Sequence, residues 1–206
     1  SLCPETDAPN FSFLPNAIVD GGVGAFSADR LDKMLAGKQV RVLPFVGQET
    51  QGISAQSNSK DLATMFQLAY LYFTAPRTDE AAFASNIDRR RAMLRNRNAN
   101  PQVEYNDSLS LIAYGPNERT APMTLERLNK VNYQRIMQLY RERFADATGF
   151  KMLLVGNVNI DSLRPLLCQY VASLPAAGRK ESFANNFPQV RNVNETHVFT
   201  KKMNTP

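Results

Sequence analysis

One apolar stripe constrains the fold of this chain more than any other feature. Leu62, Met65, Phe66, Ala69, Tyr72 and Phe73 recur at i, i+3, i+4 and i+7, the spacing of a helix that must bury one broad face. The spacing predicts a helix over 59–73, ended by Pro76. Burying such a stripe needs a partner surface, and 206 residues that are 43% hydrophobic supply enough apolar area for one sizeable domain rather than two small ones. No apolar run approaches the roughly 20 residues of a membrane helix, and no signal-peptide pattern opens the chain.

The other elements follow from caps and breakers. Residues 1–10 read as loop. A short helix is expected from Phe11, capped by Ser12 with Pro15 in its first turn and ended by Gly21, Gly22 and Gly24. Ser27 is expected to cap the next helix, which closes at Gly37. Alternation over 39–46 and 50–56 predicts a hairpin, with Pro44 marking an edge or a bulge. Thr78 is the expected cap of a helix carrying Phe83, Ile87 and Leu94, and a further helix spans 102–113. Thr124 opens a short helix to 131, and Asn132 caps a longer one to 144. The continuous apolar run 150–155 suits a strand buried on both faces. Asn159 or Asp161 caps a last helix with Pro165 in its first turns, 176–190 has linker composition, and 193–202 forms one further strand. Helices that cluster in blocks, rather than alternating with strands, point to an α+β fold with helices on a sheet.

The residue inventory limits the chemistry. His197 is the only histidine, whereas a catalytic zinc takes three protein ligands, usually two of them imidazoles. No G-x-S-x-G turn is present for a serine nucleophile. We therefore expect no catalytic residue and no metal ligand within this chain. Glu195 and His197 would share one side of a strand, but two groups cannot complete a metal site. Gly22-Val23-Gly24 hints at a dinucleotide-binding turn; Ser27 stands where the third glycine belongs, and a helix-to-helix turn is the reading we adopt. Cys3 and Cys168 lie far apart and are expected as free thiols. The densest basic run is Arg89, Arg90, Arg91, Arg95 and Arg97. It reads first as a solvated face and second as a contact for an anionic partner or a charged chamber wall. With no aromatic platform beside it, and only +5 net charge, nucleic acid is not the expected partner.

Residues 22–175 resemble the insulinase/pitrilysin peptidase family. The likeness rests on Gly22-Val23-Gly24-Ala25-Phe26-Ser27, Leu35-Ala36-Gly37-Lys38-Gln39-Val40, Asp61-Leu62, and Gln67 through Pro76. Tyr140 through Ala147, Leu154-Val155-Gly156-Asn157-Val158 and Tyr170-Val171-Ala172-Ser173-Leu174-Pro175 complete it. The resemblance implies a two-layer α/β sandwich, its mostly antiparallel or mixed sheet packed by helices, repeated in larger members around a chamber. One sister domain there holds an inverted H-x-x-E-H zinc helix. The matching helix here falls near 11–20 and offers neither histidine nor glutamate, so those ligands carry over to no position.

The reading is then an inactive, C-terminal-half domain over 1–175 whose first strands lie upstream, a linker over 176–192, and the start of the following domain over 193–206. Its expected role is a non-catalytic, substrate-binding chamber domain of a zinc metalloendopeptidase, a hydrolase whose zinc sits in another domain. Expected partners are the other domains of the same polypeptide and peptide substrates. The alternatives are an interaction scaffold in a catalytically dead family member, and a nucleotide- or nucleic-acid-binding domain. Of the compartments, we expect the bacterial periplasm or cell envelope.

Overall fold

The computed structural model describes residues 4–47, 50–97, 100–180, 182, 185, 187–192, 194–198 and 200. Eight helices and one two-stranded sheet follow in the order α1 (Ala8–Gly21), α2 (Ala28–Leu35), β1 (Val40–Val46), β2 (Gln51–Ser57), α3 (Leu62–Thr74), α4 (Glu80–Arg95), α5 (Pro101–Tyr114), α6 (Leu125–Asn129), α7 (Tyr133–Phe144) and α8 (Ile160–Leu166) among the described residues. A 3-10 turn, Glu5–Asp7, precedes α1, and a π-helical turn, Leu167–Val171, continues α8. The chain divides into two units: Phe11–Phe83 with Asn132–Phe183, and Ser1–Asn10 with Ala84–Val131 and Ala184–Pro206.

The larger unit holds nearly all of the core. Phe13, Leu14, Ala17 and Ile18 of α1, Met65, Phe66, Leu68, Tyr72 and Phe73 of α3, and Ile136, Met137, Leu139, Tyr140 and Phe144 of α7 are buried. The α3 stripe thus finds the partner its spacing demands, and α3 also packs on both strands of the hairpin. Phe73 meets Phe144 edge-on at 5.3 Å between ring centroids and Phe150 at 5.2 Å. Tyr140 stacks on Phe144 at 4.4 Å. The strands pair antiparallel with Val40 opposite Ser57 and Pro44 opposite Ile53. Asp61 ties the start of β1 to α3: its carboxylate accepts from the Gln39 N–H at 3.0 Å and pairs with Lys38 at 3.6 Å.

Capping side chains set most boundaries, as their residue types require. Ser27, Asn100, Thr124, Asn132 and Asn159 each accept an N–H from the first turn of the following helix. The expected Thr78 cap is displaced by one residue. Asp79 accepts from the Ala82 N–H at 3.0 Å, and its carboxylate also binds Arg77 at 2.7 Å. A charged acceptor held by an arginine outcompetes a hydroxyl for the helix end.

The first helix also differs from expectation. It begins at Ala8, inside the expected loop, with Pro9 tolerated in the first turn, so Pro15 lies within the helix and not at its start. An interior proline costs about 3 kcal/mol. Burial of Phe13, Leu14 and Ile18 around it, each worth roughly 1.5–3 kcal/mol, outweighs that cost.

The run 150–155 is not a strand. Phe150 packs on Phe73 and Phe144, but Met152, Leu153 and Val155 face solvent, Leu153 at 88% and Val155 at 86% exposure. Apolar composition records a need to be covered; a strand forms only where a neighbour completes the backbone hydrogen bonds, and none of the described residues pairs with this run. The expected strand over 193–202 falls partly outside the described residues, at Val193, Phe199, Lys201 and Lys202. Residues 194–198 and 200 belong to no strand.

In the smaller unit, Leu128 is buried, and ion pairs Arg97–Asp107 (2.6 Å) and Arg127–Glu118 link helices to loops. The Arg191 N–H donates to the Ala113 carbonyl at 2.7 Å, and Phe187 meets the Tyr114 ring edge-on.

Candidate functional site

The glycine turn between α1 and α2 is built for packing. Gly22 sits at φ +82°, and a Cβ there would lie 2.2 Å from the Phe26 carbonyl oxygen. Its neighbour Gly21 approaches so closely that a Cβ would lie 2.4 Å from the Arg77 carbonyl oxygen. The amides a phosphate would need are occupied: Gly22 N–H donates to Val19, Val23 N–H to Phe26, Gly24 N–H to Ala75 and Phe26 N–H to Val23. Arg77 closes the turn from the other side, donating to the Gly21 carbonyl at 2.9 Å. A G-x-G turn whose donors are spent on its own chain is a structural knot between α1 and the end of α3.

The arginine run is divided by its surroundings. Arg91 binds Asp88 at 2.6 Å, and Arg97 binds Asp107 at 2.6 Å and the Met123 carbonyl at 3.2 Å. Arg89, Arg90 and Arg95 are exposed. On the helix Arg89 and Arg90 flank Met93, which is 65% exposed, whereas Arg91 and Arg95 lie one turn apart on another side. From Ala84 onward α4 carries no buried residue. Sequence spacing alone placed five cations in one run; the acids at 88 and 107 hold Arg91 and Arg97.

Glu195 and His197 do face one another, with 3.0 Å between Oε2 and Nε2. Among the described residues, no three histidine, cysteine, aspartate or glutamate side chains converge as metal ligands. A catalytic zinc takes at least three such donors.

One feature escaped sequence reasoning. Met152, Leu154, Leu163, Leu167, Cys168 and Val171 line an open apolar groove of about 440 Å³ in the larger unit, with the exposed thiol of Cys168 on its wall. The groove joins a run expected as strand to the inner side of α8 and its π-helical extension. Its walls come from two segments brought together in space, so no pattern in the sequence announces it. Cys3 lies outside the described residues.

No family model matches the chain. Its sequence is 25% identical over 118 residues to an Arabidopsis thaliana protein described as a zinc protease PQQL-like, covering 56% of this chain and 12% of that protein. The structure superimposes on the periplasmic protease PqqL from Escherichia coli with a TM-score of 0.78 and 20% identity, over 100% of this chain and 22% of that one. It also matches the ferredoxin protease FusC, solved as a point mutant in complex with Arabidopsis ferredoxin, with a TM-score of 0.65 and 13% identity, over 88% and 19% of the two chains. The chain is insulinase/pitrilysin-like. This chain spans between about an eighth and a quarter of the length of each relative, so the likeness concerns one part of those proteins. Within that part, the insulinase/pitrilysin-like pieces quoted from the sequence include the glycine turn, α3, the end of α7 and the π-helical turn, which all lie in the larger unit.

Proposed function

We propose that this chain is a non-catalytic domain of a longer insulinase/pitrilysin-type zinc metallopeptidase, one that lines the substrate chamber and contacts peptide. The observation that carries this reading is the superposition of the whole chain on only 22% of a periplasmic protease. The inventory supports the non-catalytic part: one histidine against the three ligands of a hydrolytic zinc. The metal and its general base would then belong to a sister domain, where a zinc would supply Lewis-acid chemistry for hydrolysis. In this reading residues 1–175 form the domain, 176–192 the linker and 193–206 the opening of the next domain.

The two-layer sandwich enters here as part of the proposal. The exposed run Met152, Leu153, Leu154 and Val155 becomes a strand when the longer polypeptide supplies neighbours, and β1 and β2 extend the same sheet. Partners follow in kind: sister domains of the same polypeptide, and peptide or protein substrates, as the ferredoxin-bound FusC structure illustrates for that protease. The periplasm or cell envelope is the proposed compartment, in keeping with the periplasmic PqqL. Among the described residues, no helix is long and apolar enough to cross a membrane.

The test uses the longest natural polypeptide containing this chain, alongside the chain itself. The longer protein is expected to carry H-x-x-E-H outside these residues and to cleave an unstructured peptide until a chelator is added. The chain alone is expected to show no cleavage and no stoichiometric zinc by elemental analysis. Chelator-sensitive hydrolysis by the chain alone would overturn the proposal. A longer protein without the motif and without cleavage would favour the scaffold alternative.

A further inference from the structure

We infer that residues 175–179 form a strap that opens and closes as a unit over the end of α7, with the Asp146 carboxylate as its latch. The strap and its partners all lie in the larger unit, so the inference stands on this chain alone and goes beyond the peptidase reading above.

Two observations set the strap apart from the core beneath it. The first is burial. Pro175, Ala176, Ala177 and Gly178 are exposed and Arg179 is half-buried. Little apolar area holds the strap down, so the hydrophobic term that fixes most of a fold is nearly missing here.

The second is the convergence of its hydrogen bonds. The Ala177 N–H donates to Asp146 Oδ1 at 3.0 Å, and the Arg179 N–H donates to Oδ2 at 2.7 Å. Between them the Gly178 N–H donates to Thr148 Oγ1 at 3.0 Å. Thr148 is tied to the same carboxylate through its own N–H, which donates to Oδ1 at 2.8 Å. Gly178 takes φ +77°, a left-handed turn open to glycine that lets consecutive N–H groups converge as they do in anion-binding nests. The anion held here is the chain's own side chain, only 4% exposed. The Ala147 N–H donates to the Pro175 carbonyl at 2.7 Å. The Arg179 guanidinium donates to the Glu142 carbonyl at 2.7 Å, in the last turn of α7, where a cation is favoured.

Bonds to one carboxylate form and break together, and bonds to a charged acceptor are the stronger kind. A segment with few buried apolar contacts sits at the low end of local stability. The strap is therefore closed by one side chain. Without that carboxylate its exposed amides turn to water, and the rings packed around Phe144 stay in place. The consequence falls on the chain beyond it. Closed, the strap lets the following segment start at residue 180; open, residues 176–179 add roughly 14 Å of extended reach.

The experiment combines residue-resolved amide hydrogen exchange with limited trypsin digestion, on the chain and on Asp146→Ala, Thr148→Val and Asp61→Ala variants. In the wild type the amides of Ala177, Gly178 and Arg179 are expected to be protected, and cleavage after Arg179 and Lys180 to be slow. Asp146→Ala is expected to bring all three amides to random-coil exchange and to speed cleavage at these two bonds about tenfold or more, while the amides of Ile136 and Met137 stay protected. Thr148→Val is expected to expose Gly178 more than its two neighbours. Asp61→Ala, which removes a buried carboxylate elsewhere in the same unit, is expected to leave the strap closed. Should Asp146→Ala fail to fold, Asp146→Asn, which keeps one acceptor oxygen, repeats the test. Unprotected strap amides in the wild type, or protection that survives loss of the carboxylate, would overturn the inference. So would equal opening with Asp61→Ala, or exchange of the α7 core amides together with the strap, which would make Asp146 a support of the whole fold. None of these readouts involves peptide hydrolysis, so the latch and the peptidase reading stand or fall separately.

Discussion

Tyr140 shows how much one side chain can hold in place. Its ring is fully buried against Phe144, and its hydroxyl donates to the Tyr72 carbonyl at 2.7 Å, joining α7 to α3 at a point where no water competes. Burial pushes its phenol well above the usual range, so the group stays a donor at every working pH. Tyr140→Phe keeps the ring and strands the carbonyl, and we expect a loss of about 1–3 kcal/mol in urea unfolding. Phe144→Ala removes a ring that packs on three others and should cost about 3–5 kcal/mol in the same measurement. The helix over 132–144 that carries both positions was legible from its Asn132 cap; which ring meets which was not, because a cap names a start and not a packing partner.

At the scale of elements, the glycine turn and the caps fix where helices begin and end. Gly22→Ala meets both a left-handed backbone and an oxygen 2.2 Å from the new carbon, so it is expected to destabilise by more than the roughly 1 kcal/mol of an unstrained glycine exchange. Ser27→Ala, which removes only a cap, should cost about 1 kcal/mol; a thermal melt that ranked the two in reverse would contradict this account of the turn. Cap chemistry is local, so Ser27, Thr124 and Asn132 were legible in the sequence, and Asn159 as one of two candidates beside Asp161. The displaced cap at Asp79 was not, because it depends on Arg77 and on Tyr133, whose hydroxyl accepts the Asp79 N–H at 2.7 Å. The start of α1 escaped for a related reason: burial of Phe13, Leu14, Ala17 and Ile18 overrides the interior Pro15.

For the molecule as a whole, acid sensitivity and solubility follow from a few groups. Asp61, Asp79 and Asp146 are all held below the usual carboxylate range, by the Gln39 N–H, the Arg77 guanidinium and the Thr148 hydroxyl respectively as the leading causes. Asp146 also accepts from the Ala177 N–H at 3.0 Å and the Arg179 N–H at 2.7 Å, anchoring the start of the expected linker to the larger unit. A depressed carboxyl stabilises the fold above the unfolded value near 3.9, and that contribution is lost as pH falls through the folded value. Melting temperature should therefore change little between about pH 7 and 5 and drop below about pH 4, less steeply in Asp146→Asn, which starts from a lower plateau. Leu153→Ser with Val155→Ser should leave the stability of this chain within about 0.5 kcal/mol, since both are solvent-facing, while reducing self-association in light scattering. In a longer polypeptide that covers the run, the same pair should destabilise strongly.

The sequence by itself determined the helices, most of their caps and the hairpin, because each depends on residue type at short range. Tertiary structure alone decided that Arg91 and Arg97 are tied to acids while Arg89 and Arg95 face outward, that the glycine turn spends its amides internally, and that 150–155 stays unpaired beside an apolar groove. Ion pairs between distant residues and strand pairing are set by what stands opposite in space, and one-dimensional spacing does not carry that information.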